Sequence, residues 1–183
     1  MSRVLVPLAS GFEDLEAVTI VDVLRRAGIE VVTAGLQPGL VEGSRKTRVQ
    51  PDTLIDDVLE QEFDMIALPG GMPGAKNLRD DVRIQSLLGR MARDGRYTAA
   101  ICAAPIALAQ AGVLDGKRVT SFPGFLDRVP IPGGRYVEEA VVVDGKVVTS
   151  RGPGTAMDFA LELVRLLVGT EVRNRVEAGL VRP

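Results

Sequence analysis

Cys102 is the only cysteine in the chain, and it stands in the stretch TAAICAAPIALAQAG (98–112), where an apolar strand pattern turns directly into a helical one. A thiol at such a junction has two attributes of a nucleophile. The tight strand-to-helix turn holds its side chain on a strained elbow. The helix N-terminus supplies partial positive charge and free N–H donors that favour thiolate, the reactive form. Ala100, Ala103 and Ala104 keep the surroundings small, and Pro105 suits a first helical turn, where its missing N–H costs nothing. The competing reading is a small, inert core residue, since free cysteine is among the most buried residue types. The chain contains no histidine at all. That removes the Ser-His-Asp triad, the Cys-His dyad and almost every zinc site, so an active Cys102 needs a different partner. No clustered acidic motif such as a calcium loop is present either, and no metal or cofactor is expected.

The partner candidate is Glu16, one helical turn past Glu13 in a segment that is otherwise largely apolar. A carboxyl pressed into an apolar cleft has its pKa raised. Protonated Glu16 would hydrogen-bond a Cys102 thiolate, the two groups sharing one proton and titrating as a pair. Its alternatives are a solvated helix face or compensation of the helix dipole, a role that Glu13 and Asp14 fit better. In LPGGMPGAKN (68–77), Gly70 and Gly71 follow a strand and permit close backbone approach. Backbone N–H groups there and at Ala103 are candidates for an oxyanion hole, against the alternative of an ordinary strand-to-helix turn. Neither this stretch nor SRGPGTAMDF (150–159) has the glycine spacing of a phosphate loop. In the second, a glycine-proline turn with Thr155 near a helix start is the better account. The basic cluster SRKTR (44–48) reads as a solvated hairpin from which Arg45 or Arg48 reaches an anionic substrate or a partner subunit.

The elements that must position these groups alternate strand and helix. RVLVPLA (3–9) reads as a buried strand, SGFE (10–13) carries Ser10 and Glu13 at capping-box spacing, and a helix follows over 13–28 with apolar positions at Leu15, Val18, Val21, Val23, Leu24 and Ala27. Strands are expected at 29–35, 63–71 (running into its glycines), 97–102 and 117–122, with paired strands over 136–150 about Asp144-Gly145. Helices are expected at 84–95, 103–112 and 154–169, and an irregular or hairpin insertion at 37–52. Such alternation gives a mostly parallel sheet with helices on both faces, an α/β doubly wound domain spanning 1–183. Sites in these sheets form beyond the carboxyl ends of the strands. The Glu16, Gly70–Gly71 and Cys102 segments converge if their strands are neighbours.

Composition narrows the partners. A net charge of -2 attracts neither nucleic acid nor an anionic membrane, and no apolar run is long enough for a signal peptide or a membrane span. A single cysteine forms no internal disulfide, which fits a reducing compartment. The expected location is the cytoplasm.

AAICAAP around Cys102, LPGG with Gly70 and Gly71, GFEDLEAV around Glu16, and SRGPGTAMDFAL near the end together resemble the ThiJ/PfpI superfamily. They are most similar to its branch holding bacterial YajL and the human Parkinsonism-associated protein. The resemblance runs from the first strand to the last helix. It implies a flavodoxin-like sandwich, a homodimer, a nucleophilic cysteine at Cys102 and a protonated acid at Glu16. It also implies the glycine pair at Gly70 and Gly71, and an arginine at Arg45 that approaches a site across the dimer. The human branch carries a histidine where this chain has Phe122, in TSFP; the departure is similar to the YajL pattern. Superfamily members that act as proteases or amidotransferases need a Cys-His pair, which this chain cannot supply. What the resemblance implies is cofactor-free glyoxalase or deglycase activity on small reactive aldehydes or on glycated protein or nucleotide. Its alternative is an oxidative-stress sensor or redox-regulated chaperone working through oxidation of Cys102. Arg45, Phe122 and Glu13 are the remaining candidates for substrate or partner contact.

Overall fold

The computed structural model describes residues 1–182. The first apolar run forms strand β1 (Arg3–Leu8), buried from Val4 onward. Helix α1 (Asp14–Arg26) follows, and the chain returns as β2 (Glu30–Gly35), parallel to β1 over its whole length. Next come the short hairpin β3 (Val41–Glu42) and β4 (Arg48–Val49), then β5 (Thr53–Leu54). Strand β6 (Met65–Leu68) leads through Gly70 and Gly71 into α2 (Gly74–Asp80) and α3 (Val82–Arg93). Strand β7 (Tyr97–Ile101) leads through Cys102 into α4 (Pro105–Gln110). The last elements are β8 (Arg118–Val119), β9 (Arg135–Tyr136), β10 (Val141–Asp144), β11 (Val147–Ser150), α5 (Ala156–Val168) and α6 (Thr170–Gly179).

The main sheet has seven strands in the order β10-β11-β7-β6-β1-β2-β5. Every neighbouring pair is parallel except β10 and β11, which form the expected hairpin with Gly145 in the left-handed region at its turn (φ +61°). This is a flavodoxin-like α/β fold. Helices α1, α5 and α6 pack together, and α2, α3 and α4 form a second group. Phe12, Leu5, Leu8, Ile20, Leu24, Met65, Ile66, Leu68 and Phe159 are fully or almost fully buried in one continuous core. The winding reverses at β1, whose neighbours are β2 on one side and β6 on the other. Such a reversal opens a crevice at the carboxyl ends of the two central strands. Glu16, Gly70 and Cys102 follow β1, β6 and β7, three adjacent strands.

The structure differs from the sequence reading in several places. Ser10 and Glu13 form no capping box. Glu13 is the N-cap of α1 without a side-chain cap bond, and its carboxylate turns to the 41–49 hairpin instead. Leu15 and Val18 lie outside the core, each 51% exposed, because the buried stripe of α1 is Ala17, Ile20, Val23 and Leu24. The expected 117–122 strand shrinks to Arg118–Val119 and pairs only with β9, in a separate two-stranded sheet. Helix α4 starts at Pro105 rather than at residue 103, and α2 and α6 had no expectation behind them. Among the described residues no helix is long and apolar enough to cross a membrane.

Candidate active site

Cys102 directly follows β7 with its backbone in the left-handed region, φ +64°, one of three non-glycine residues with positive φ among the described residues. A side chain there is strained, and the neighbours hold it in place. Its N–H donates to Ser150 O at 3.0 Å, at the end of β11, and its carbonyl accepts from Phe122 N at 2.8 Å. The elbow is therefore pinned between the end of β11 in the main sheet and the segment that follows β8. Only 8% of Cys102 is exposed.

Glu16 is fully buried, at 0% exposure. Its Oε2 accepts the Gly70 N–H at 2.8 Å, while its Oε1 is buried with no hydrogen-bond partner. Gly70 has no room for a side chain: a Cβ there would lie 2.6 Å from Cys102 Cβ, 2.8 Å from Glu16 Oε2 and 2.9 Å from Ile101 O. The glycine is thus the spacer that lets the carboxyl and the thiol meet. Gly71 (φ +86°) is equally enclosed, since its Cβ would come within 2.3 Å of Glu13 N. Of the three expected backbone donors, Gly70 does not face the sulfur, because Glu16 takes its N–H. The N–H groups of Gly71 and Ala103 do face it.

The electrostatics run against the simplest sequence expectation. Burial and the neighbouring Glu16 push the Cys102 thiol up to about 12, outweighing the Gly71 and Ala103 N–H groups that pull it down. The helix start is three residues away at Pro105 and does not reverse this. Burial likewise lifts Glu16 to about 7; the Gly70 N–H and the Cys102 thiol oppose the rise, and the charge of Glu13 adds to it. The two groups titrate as a pair, losing a first proton near 7 and a second near 12. Between those two steps the pair keeps one proton, and burial together with the charge of Glu16 places it on the sulfur. Reactive thiolate forms when that proton passes to the Glu16 carboxyl.

The other sequence candidates lie around this pair. Half-buried Glu13 donates its N–H to Gly70 O at 2.8 Å and accepts from Ser44 Oγ at 3.1 Å. Arg45 is exposed on the β3–β4 hairpin, and its backbone N–H donates to Asp14 Oδ2 at 2.8 Å. Asp14, which sequence reasoning assigned to the helix dipole, clamps that hairpin to the site. It also accepts from Thr47 N at 2.8 Å, and these hydrogen bonds outweigh its burial and hold it below the usual carboxylate range. Its closeness to Gly43, where a Cβ would lie 2.5 Å from Asp14 Oδ2, has no trace in the sequence pattern. Phe122 sits against the elbow through its backbone and is 43% exposed. Among the described residues no group of three or more Cys, Asp or Glu is placed to hold a metal ion.

Comparison with known proteins places the chain in a family. The model of the DJ-1/PfpI family matches residues 2–166. This chain belongs to the DJ-1/PfpI family. Protein dj-1beta of Drosophila melanogaster is 42% identical over 179 residues, covering 97% of this chain and 95% of its own. The crystal structure of Drosophila melanogaster DJ-1beta superposes with a TM-score of 0.95 over the whole of both chains. The glutathione-independent glyoxalase DJR-1.2 of Caenorhabditis elegans is 37% identical over 162 residues, 88% of this chain and 86% of that protein. Some relatives are longer: this chain spans 46% of Protein DJ-1 homolog A of Arabidopsis thaliana, at 39% identity over 180 residues. Within the DJ-1/PfpI fold, the pair described above lies at the carboxyl edge of the three adjacent strands β1, β6 and β7.

Proposed function

We propose that Cys102 and Glu16 form a cofactor-independent catalytic centre that converts reactive 2-oxoaldehydes, or their adducts on protein or nucleotide, in the manner of a glutathione-independent glyoxalase or deglycase. The observation that carries this reading is a fully buried Glu16, its Oε1 without a partner, paired with a Cys102 thiol that faces two backbone N–H groups. A buried carboxyl oxygen with no partner costs stability, and a site that must hold and release a proton accounts for keeping it. The glyoxalase name of the C. elegans relative supports the substrate class.

The steps balance with these groups alone. The thiolate adds to the aldehyde carbon of methylglyoxal, forming a C–S bond, and Glu16 delivers its proton to the resulting alkoxide. The Gly71 and Ala103 N–H groups steady the developing charge. Glu16, now a carboxylate, takes the proton from the former aldehyde carbon to give an enediolate and returns it to the neighbouring carbon, while the hydroxyl proton passes from the first oxygen to the second, leaving a lactoyl thioester. Water cleaves the thioester to lactate and the thiol is restored. Glyoxal gives glycolate by the same route, and a glycated side chain or base would meet the same nucleophile. Arg45 would serve an anionic part of the substrate or the partner subunit. The exposed Leu15 and Val18 on α1, the face its core stripe leaves bare, suit a homodimer contact.

The same unpartnered oxygen supports a second reading. Protonated Glu16 would hydrogen-bond an oxidised Cys102 and hold it at the sulfinate level, as a stress sensor or redox-regulated chaperone requires. Incubation of the purified protein with methylglyoxal alone separates the two. Lactate formed by the parent and absent with Cys102→Ser supports the enzyme. Equal lactate from both refutes it and leaves the redox reading.

A further inference from the structure

Phe122 is held firmly for a residue that is 43% exposed. Its N–H donates to Cys102 O at 2.8 Å, and its own carbonyl accepts from Ser121 Oγ at 2.9 Å and from Phe125 N at 3.3 Å. Ser121 Oγ in turn accepts from Leu126 N at 3.1 Å, and Tyr136 Oη donates to Ser121 O at 3.3 Å. The turn that presents the ring is therefore fixed from both ends. The ring stands edge-on to Phe125, with centroids 6.3 Å apart and planes at 75°. It rests on Gly152, where an added Cβ would lie 3.1 Å from Phe122 Cδ2. Gly152 is two residues past Ser150, whose carbonyl holds the Cys102 N–H. The seat of the ring and the seat of the cysteine are thus parts of one sheet edge. On the other side, Gly71, whose N–H faces the sulfur, is followed by Met72, 46% exposed.

A large apolar ring kept in water by its own backbone bonds is pre-organised contact area, and pre-organisation converts into selectivity because little ordering remains to be done on binding. We propose that Phe122 is the specificity residue of the Cys102 centre and that its ring favours 2-oxoaldehydes carrying an aromatic or apolar group over the methyl-bearing parent. The proposal rests on Cys102 being the reacting group. The chemistry is unchanged and redox-neutral: phenylglyoxal and water give mandelate through the same C–S bond, proton transfer and thioester cleavage, with the phenyl group lying against Phe122.

Two readouts test this on the intact protein. The first is the ratio of kcat/KM for phenylglyoxal to that for methylglyoxal. It falls about tenfold in Phe122→Ala, the scale of one aromatic contact, and is retained in Phe122→Tyr. The second needs no turnover: the ratio of Cys102 labelling rates by N-phenylmaleimide and N-methylmaleimide, read by mass on a chain with one cysteine. It falls in the same variant. Gly152→Ala provides a probe that leaves the ring in the sequence but presses a methyl against it, and it lowers both ratios. A labelling ratio that is equal in parent, Phe122→Ala and Gly152→Ala overturns the proposal, whatever the turnover. Absent turnover with a labelling ratio that still falls refutes the glyoxalase reading and leaves Phe122 as an aromatic contact for whatever reaches Cys102.

Discussion

Glu16→Gln isolates the free energy stored in the buried acid. Glutamine has nearly the same shape, its amide oxygen accepts the Gly70 N–H, and its NH₂ faces Cys102, but it does not titrate. In the parent, burial raises Glu16 from 4.5 to about 7. Below pH 4.5 both folded and unfolded chains hold the proton, and the folded state has its full stability. Between 4.5 and about 7 the unfolded chain releases the proton while the folded chain keeps it, so stability falls as pH rises. Above about 7 the folded pair has released it too, and the loss is complete. Linkage over that window amounts to roughly 3 kcal/mol. Glu16 has no exposure to solvent, so screening takes little from this figure. Urea unfolding of parent and variant at a series of pH values from 4 to about 8 reads it directly, since all other titrating groups are common to both. The variant gains on the parent by roughly 3 kcal/mol across the series. Parallel curves would mean that Glu16 is solvated and ionised in the folded protein, and the shared-proton account of Cys102 would fall with it.

Gly70→Ala forces a methyl to within 2.6 Å of Cys102 Cβ and 2.8 Å of Glu16 Oε2. It lowers stability by about 1–3 kcal/mol and parts the pair; thermal unfolding and the pH dependence of Cys102 alkylation report the two effects separately. Replacing Leu15 and Val18 together by glutamate places charge on the exposed stripe of α1 while sparing the core. The homodimer proposed on this face predicts that sedimentation shifts from dimer to monomer with little change in secondary structure, and sedimentation unchanged from the parent refutes the α1 contact.

Much of the fold was legible because local patterns and long-range packing agree there. The buried runs of β1, β6 and β7, the α1 and α5 periodicities and the Gly145 turn each carry their own signal. The reading failed where tertiary contact overrode a local cue. Ser10 and Glu13 have capping-box spacing, yet the hairpin offers Glu13 a better partner in Ser44. Leu15 and Val18 are as apolar as their core neighbours, and only the packing of α1 against the rest of the fold decides which stripe is covered. The six residues of α4 are too few for periodicity to mark their start.

The types of the reacting groups were fixed by the amino-acid sequence alone. One cysteine and no histidine mean that an activated thiol must look to a group other than imidazole, and the glycine pair after an apolar strand marks where backbone must come close. Tertiary structure decided the rest. It laid β1, β6 and β7 side by side, so that residues 16, 70 and 102 meet. It turned the Gly70 N–H onto Glu16 rather than onto the sulfur. It also raised the thiol instead of lowering it. The proton balance of such a pair depends on distance and on exclusion of water, and neither quantity is written in the order of residues along a chain.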